Sequence, residues 1–312
     1  MAAGRSLPED RGTVGRAVGR VARHTAWTRE EGVRPLTEEG GLDLADRGRR
    51  AAARWRWRRA NPREPGSARA ILVVGAQRSG TNLVLRTFAA LPEVEAYAEN
   101  DPRLFRRFRL RSPAALTARV RRSRHLAVVA KPLCDSHATV ELLGLFAGDP
   151  APARALWVWR EPDARARSAV TRFGSVNRDV LARIAEHGPD GRWQAAGMTP
   201  QVLAQVRALD PARLSPHDGA ALFWWVRNSL WETTGLDRRE DVRLVRYEDL
   251  VRDPVGEWAR LTAFLDLPYR PQDHPRARLP HARPVPVLDL DPRVRALCTD
   301  LADRLRTAGR TE

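Results

Sequence analysis

The stretch ILVVGAQRSGTN, residues 71–82, decides the architecture of this chain. Four apolar residues lead into a loop between Gly75 and Gly80, and an apolar helical pattern then continues to Pro92. A strand, a glycine loop and a helix in this order present backbone N–H groups at a helix N-terminus, where hydrogen bonds and the helix dipole both favour an anion. We therefore predict a phosphate or sulfate site formed by the loop residues Gln77, Arg78, Ser79, Gly80, Thr81 and Asn82.

The same glycine spacing occurs in the loop of nucleotide triphosphatases, G-x-x-x-x-G-K-[ST], where the lysine reaches the phosphates and the hydroxyl holds Mg²⁺. Here Thr81 occupies the lysine position and Asn82 the hydroxyl position. The apolar run 156–159 ends at Arg160 instead of an acidic residue that could bind a metal. These departures disfavour Mg²⁺-dependent hydrolysis of ATP or GTP and leave a kinase-like P-loop protein as an alternative.

Short, nearly continuous apolar runs recur along the chain, at residues 71–74, 126–130, 156–159 and 242–245. Runs of this kind are typical of strands buried on both faces. Amphipathic stretches lie between them, the clearest of which passes through Leu222, Val226 and Leu230. The alternation predicts an α/β fold, a single domain with a central parallel β-sheet flanked by helices.

The domain organisation follows from shifts in composition. Residues 1–67 are rich in arginine and glycine and are interpreted as a basic, partly disordered N-terminal arm, with a proline and glycine linker at its end. The domain itself is placed at residues 68–270. Residues 271–312 are predicted to form a proline-rich segment and a C-terminal helix that pack on the domain.

The charge of the chain is its most conspicuous compositional feature, a net +16 with a pI near 11.3. Such an excess is typical of nucleic-acid binders, because basic residues neutralise phosphates. Lys131, however, is the single lysine among 54 basic residues, so most of the charge is interpreted as a bias toward arginine. The composition therefore disfavours a nucleic-acid partner, and an arginine-rich nucleic-acid binder remains the second alternative. The lone lysine indicates a position where a compact ammonium is needed.

The arm contains AAARWRWRR at residues 51–59, for which two interpretations stand side by side. One is peripheral contact with a membrane surface or a nucleic acid; the other is a short helix whose tryptophans pack on the domain. The N-terminus has no apolar stretch, and Cys134 and Cys298 are the only cysteines. These two features predict a reducing, cytoplasmic setting.

Three segments resemble motifs of the sulfotransferases that use 3′-phosphoadenosine-5′-phosphosulfate (PAPS). GAQRSGTN, residues 75–82, resembles the family's 5′-phosphosulfate loop. The segment 156–168 is similar to its 3′-phosphate motif, in which an arginine ends a strand and a serine follows eight positions later, here Arg160 and Ser168. RYEDLVRDP, residues 246–254, is similar to a third family segment, in which Tyr247 corresponds to an adenine contact.

The resemblance implies a P-loop-NTPase-like sulfotransferase fold at residues 68–270. It also implies transfer of a sulfuryl group from PAPS to a hydroxyl or amine of a small-molecule, carbohydrate or lipid acceptor, with no metal expected. Sulfuryl transfer needs alignment of donor and acceptor and stabilisation of charge on the leaving oxygen. Arg78 and Lys131 are the predicted cations for that charge.

The general base is less directly indicated. Many sulfotransferases carry K-x-H after the strand that ends at Lys131, but Leu133 occupies the histidine position here. Glu99 is the first candidate, because several carbohydrate sulfotransferases are similar in placing a glutamate beyond the helix that follows the loop. A carboxylate in a partly desolvated pocket suits a general base. Asp135 and His137 are the reserve candidates.

Overall fold

The structure, a computed structural model, describes residues 44–270 and 286–309. The predicted disorder of the arm and the irregular proline-rich segment fall largely on residues 1–43 and 271–285, which lie outside the described residues. The strands are β1 (Arg69–Gly75), β2 (Val94–Tyr97), β3 (Phe105–Arg106), β4 (Arg109–Leu110), β5 (Ala127–Ala130), β6 (Arg154–Trp159) and β7 (Val242–Arg246).

The helices alternate with these strands. They are α1 (Leu44–Ala60), α2 (Thr81–Ala90), α3 (Pro113–Arg122), α4 (Thr139–Gly144), α5 (Pro162–Phe173), α6 (Val176–His187), α7 (Pro200–Ala208), α8 (Pro216–Asn228), α9 (Leu230–Thr233), α10 (Tyr247–Arg252), α11 (Pro254–Phe264) and α12 (Pro292–Ala308). Several begin as their sequences require. Ser215 caps α8 in a reciprocal capping box with Asp218, for example, and proline occupies the first turn of α5.

Five of the strands form one parallel sheet in the order β2-β5-β1-β6-β7, so β1 lies at the centre. Each crossover between parallel strands requires a connection of about a dozen residues or more, and helices supply most of these connections. The prediction of an α/β fold with a parallel sheet flanked by helices is confirmed.

The core lies on both faces of the sheet. Along β1, Leu72 and Val74 join one apolar cluster, which includes α8 and α12, while Ile71 and Val73 join the other, which includes α2 and α11. Successive side chains of a strand point to opposite faces, so a strand covered on both sides reads as a continuous apolar run. This is why the four buried runs were readable in the sequence.

The strands β2, β3 and β4 were not predicted. The edge strand β2, with sequence VEAY, is buried only at its two ends, and β3 with β4 forms a two-residue antiparallel hairpin. None of the helices in the described part of the chain is long and apolar enough to cross a membrane.

Candidate active site

The glycine loop leaves the carboxyl end of the central strand. Gly75 has φ of +125°, and a Cβ placed on it would lie 2.2 Å from the carbonyl oxygen of Val158 on β6. Its N–H donates to Ser136 Oγ at 3.1 Å. Only glycine combines this backbone conformation with so close a neighbouring strand, so Gly75 determines where the loop begins.

The loop then turns into α2 at Gly80. Both Arg78 and Gly80 have positive φ, 69° and 96°. A Cβ on Gly80 would lie 2.3 Å from Cδ2 of Tyr247, so the tyrosine ring packs directly on the loop. Helix α2 starts at Thr81, and the first N–H groups of a helix have no acceptor within the helix. The loop thus has the backbone geometry of an anion site.

Two polar side chains of the loop fit an anionic guest. Ser79 is fully buried, and its Oγ has no hydrogen-bond partner among the described residues. A buried hydroxyl without a partner costs free energy unless a ligand satisfies it. Arg78 Nε donates to Ser168 Oγ at 3.1 Å, which joins the loop to α5. The loop and the second predicted motif therefore meet in space.

Lys131 follows β5 and reaches the same loop. Its side chain is 3% exposed, and Nζ lies 3.1 Å from Glu99 Oε2. Lys131 Nζ also donates to Asn82 Oδ1 in the first turn of α2. Strands β2 and β5 are neighbours in the sheet, which brings Glu99, beyond β2, beside Lys131. The two residues predicted to have separate chemical roles form a single ion pair.

Arg160 directly follows the last residue of β6, at the strand end as predicted, and it has no hydrogen bond to Ser168 among the described contacts. Its guanidinium lies 4.6 Å from the centroid of the Tyr247 ring, and Nε lies 3.9 Å from Glu248 Oε1. Arg160 Nε is buried without a hydrogen bond in the described part of the chain. Glu248 also accepts from the N–H of Glu161 at 3.2 Å, and burial raises the pKa of Glu248. Arg160, Tyr247 and Glu248 thus form one group beside the loop.

Sequence reasoning missed Arg165, whose side chain donates a hydrogen bond to the backbone of the glycine loop. Its fully buried guanidinium donates from Nε to the carbonyl oxygen of Gln77 at 2.9 Å and from Nη1 to Asn177 Oδ1 and the Ala220 carbonyl oxygen. Burial, together with the charge of Arg78, lowers its pKa to about 9. Arg165 lies in the arginine-rich run DARARS, where nothing in the sequence separates a buried arginine from an exposed one.

The reserve bases occupy different surroundings. Asp135 Oδ1 accepts from Arg109 Nε at 2.9 Å, and Oδ2 accepts from the N–H of Leu110 at 2.7 Å, so both oxygens hold the β3–β4 hairpin. His137 is half-buried, and burial together with the charge of Arg227 lowers its pKa. Neither residue has a hydrogen bond to the glycine loop among the described contacts.

The tryptophans of α8 and α9 belong to the core. Trp224, Trp225 and Trp231 are 0%, 8% and 2% exposed. Trp224 Nε1 also donates to the carbonyl oxygen of Arg160 at 2.7 Å, which supports the end of β6. Among the described residues, no group of three or more His, Cys, Asp or Glu side chains is arranged to hold a metal ion.

A glycine loop between a buried parallel strand and a helix, with basic side chains beside it, is the geometry of an anion site in an α/β protein. The chain belongs to the sulfotransferase family, because the family model of the sulfotransferase domain matches residues 68–278, more than half of its length. No curated protein matches the sequence significantly.

Solved structures that match this chain include the sulfotransferase domain of the olefin synthase from Synechococcus PCC 7002, with 14% identity, a TM-score of 0.40 and coverage of 77% of this chain and 96% of that one. A sulfotransferase from Alicyclobacillus acidocaldarius has 17% identity and a TM-score of 0.42, with coverage of 77% and 95%. A mouse sulfotransferase complexed with PAP has 12% identity and a TM-score of 0.34, with coverage of 69% and 63%.

Proposed function

We propose that this sulfotransferase takes its sulfuryl group from PAPS and transfers it to a hydroxyl or amine of a small-molecule, carbohydrate or lipid acceptor. The observation that carries the proposal is the convergence of Arg78, Ser168 and Lys131 on a glycine loop that contains a buried hydroxyl without a partner. Anionic oxygens of the donor would satisfy these groups.

The proposed donor contacts follow the three motifs. Residues 77–82 would hold the 5′-phosphosulfate, Arg160 and Ser168 the 3′-phosphate, and Tyr247 the adenine. The buried Nε of Arg160 has no hydrogen bond to a described residue, and this supports a contact with a phosphate oxygen. A bidentate guanidinium suits a dianionic phosphate better than an ammonium does.

The proposed chemistry breaks the bond between sulfur and the bridging oxygen of the donor and forms a bond between sulfur and the acceptor atom. Charge then develops on the leaving phosphate oxygen, where Lys131 and Arg78 would stabilise it. Glu99 would take the proton from the acceptor. The position of Glu99 supports this role, because its carboxylate lies 3.1 Å from Nζ of Lys131, and Lys131 itself contacts Asn82 of the glycine loop.

The proposed partners are PAPS and the acceptor; nucleic acid is not among them. The basic arm is proposed to add peripheral contact with a membrane surface. No metal is assigned to the reaction.

Thermal unfolding with nucleotides tests the donor assignment. Adenosine 3′,5′-bisphosphate should stabilise the protein without Mg²⁺, by about 2.7 kcal/mol when its concentration is 100 times the dissociation constant. ADP, which lacks the 3′-phosphate, is the matched control and should stabilise it much less. Stronger stabilisation by ATP with Mg²⁺ than by the bisphosphate would show that the assignment of PAPS as the donor is wrong.

A further inference from the structure

Helix α1 has two faces with different surroundings. Arg50, Ala53, Arg54 and Trp57, spaced at i, i+3, i+4 and i+7, are all half-buried. Trp57 stacks on His125 with centroids 5.9 Å apart and planes at 8°, and Arg54 Nη2 donates to the carbonyl oxygen of Ala89 at 2.8 Å. This inner face attaches α1 to the β5 side of the domain.

The opposite face repeats the same spacing with different chemistry. Gly48, Ala51, Ala52 and Trp55 are all exposed, and Trp55 is 53% exposed. The guanidinium of Arg59 lies 5.2 Å from the Trp55 ring centroid. We call this strip, together with the exposed arginines Arg49, Arg56, Arg58 and Arg59 in and beside it, the outer face of α1. No acidic residue occurs between residues 47 and 60.

We infer that the outer face of α1 is a docking surface for a bilayer of anionic phospholipids. The inference narrows the proposed membrane contact of the arm to one face and rests on that proposal. Clusters of four or more basic residues on a helix are attracted to anionic headgroups. An exposed tryptophan prefers the interface between headgroups and acyl chains.

The centre of the outer face favours lipid over nucleic acid. Readout of base edges uses amide, carboxylate and hydroxyl side chains as well as arginine. None of these three kinds of side chain occurs on this face, where arginine and one indole are the only polar groups. Small residues around an exposed tryptophan let the helix lie close to a flat apolar boundary. The contacts of α1 with Ala89 and His125 lie away from the glycine loop, so the face is separate from the donor site.

Vesicle binding by the full chain tests the inference. The measurement is co-sedimentation with vesicles of phosphatidylcholine alone and with vesicles containing 30% phosphatidylglycerol, a composition chosen for the assay and roughly that of an anionic leaflet. We expect binding only to the anionic vesicles. The triple variant R56E/R58E/R59E should bind at least about 100-fold more weakly, since each basic residue near such a surface contributes about fivefold. Trp55→Ala should weaken binding about threefold to tenfold.

The matched control has the same change in net charge at exposed arginines elsewhere, R183E/R213E/R238E. It should retain nearly all vesicle binding. Equal losses in both triple variants would overturn the assignment to α1 and attribute binding to overall charge, and unchanged binding in R56E/R58E/R59E would overturn it as well. No binding of the parent chain would overturn the membrane contact itself.

Two further measurements separate the remaining outcomes. Tighter binding of a DNA duplex than of anionic vesicles, lost in R56E/R58E/R59E, would assign the face to nucleic acid and overturn the proposal. Stabilisation by adenosine 3′,5′-bisphosphate, measured on every variant, should equal that of the parent. A variant that keeps this response but loses vesicle binding tests the face independently of the proposed donor.

Discussion

At the scale of single residues, Lys131 and Glu99 form an ion pair, and we propose that they carry the chemistry. We expect Glu99→Gln to lower turnover about 10²- to 10⁴-fold with nearly unchanged affinity for adenosine 3′,5′-bisphosphate, because glutamine keeps the shape of the side chain but takes no proton. Single-turnover rates with an acceptor identified by ³⁵S-PAPS labelling of cell extracts would measure this, alongside calorimetry for the bisphosphate.

Asp135→Asn is the control for that experiment. Both oxygens of Asp135 accept hydrogen bonds from the β3–β4 hairpin, so its loss should lower stability more than the rate of the chemical step. Full activity in Glu99→Gln, with lost activity in Asp135→Asn or His137→Gln, would reassign the base.

Arg165 and Arg227 form a natural comparison at the same scale. Both guanidiniums are buried, both donate to backbone carbonyl oxygens, and both have an Nη2 without a partner in the described part of the chain. Burial lowers the pKa of Arg165 to about 9 and that of Arg227 to about 10. Only Arg165 donates to the glycine loop, through the carbonyl oxygen of Gln77.

We therefore expect Arg165→Gln to weaken bisphosphate affinity about 10- to 100-fold, because it releases the loop and removes a positive charge beside it. Both variants should lower the free energy of unfolding by a similar amount, because each unpaired acceptor costs about 1–3 kcal/mol. Arg227→Gln, however, should leave the affinity for the bisphosphate unchanged. Thermal unfolding and calorimetry on both variants provide the comparison, and Arg165→Lys, which keeps the charge, serves if glutamine prevents folding. Equal affinities in all folded variants would place Arg165 outside donor binding.

At the scale of elements, Glu95 on β2 connects the edge of the sheet to its neighbours. Its carboxylate accepts from Tyr97 Oη at 2.6 Å, pairs with His125 Nδ1 at 2.9 Å and with Arg119 Nη2 of α3 at 2.8 Å. Burial alone would raise the pKa of Glu95, but hydrogen bonds from His125 and Tyr97 and the charge of Arg119 outweigh it and lower the pKa to about 2. The ionised carboxylate therefore stabilises the folded state.

The sign of the pH dependence follows from that depressed pKa. The stabilisation is complete above the ordinary carboxyl pKa of 4.5 and is lost as the pH falls from there toward about 2. We expect Glu95→Gln to lower stability by about 1–2 kcal/mol at pH 7, after allowance for solvent screening, with the difference from the parent shrinking below pH 4.5. Denaturant melts across this range measure it.

Glu257→Gln, which removes a surface pair with Arg260 on α11, is the matched control and should change stability by less than about 0.5 kcal/mol. A difference between Glu95→Gln and the parent that stayed constant down to pH 2 would contradict the assignment of the charge to Glu95.

The same elements show how far sequence reasoning reached. The buried strands β1, β5, β6 and β7 were predicted because a strand covered on both faces leaves a continuous apolar run. Strand β2 was missed because its two central residues, Glu95 and Ala96, are only half-buried. Glu95 is stabilised by contacts with Tyr97, with Arg119 of α3 and with His125 in the loop before β5. Strand β2 therefore depends on its pairing with β5 and on side-chain contacts with residues distant in sequence.

At the scale of the whole molecule, the net charge of +16 has little bearing on the fold. Many arginines pair locally with acids, as in the bidentate contact of Arg295 with Asp163 between α12 and α5. Others are buried and donate hydrogen bonds to backbone carbonyl oxygens, as Arg165 does. The exposed arginines on the outer face of α1 are the ones that we connect with a partner.

The glycine loop, the order of the buried strands along the chain and the family motifs could be read from the sequence alone, because they depend on local spacing and on apolar runs. Three features depend on the tertiary structure: the pairing of Lys131 with Glu99, the hydrogen bond from Arg78 to Ser168, and the contact of Arg165 with the loop. The parallel sheet brings the carboxyl ends of β1, β2, β5 and β6 to one edge. Side-chain partners at that edge come from segments far apart in sequence, so local spacing carries no record of them.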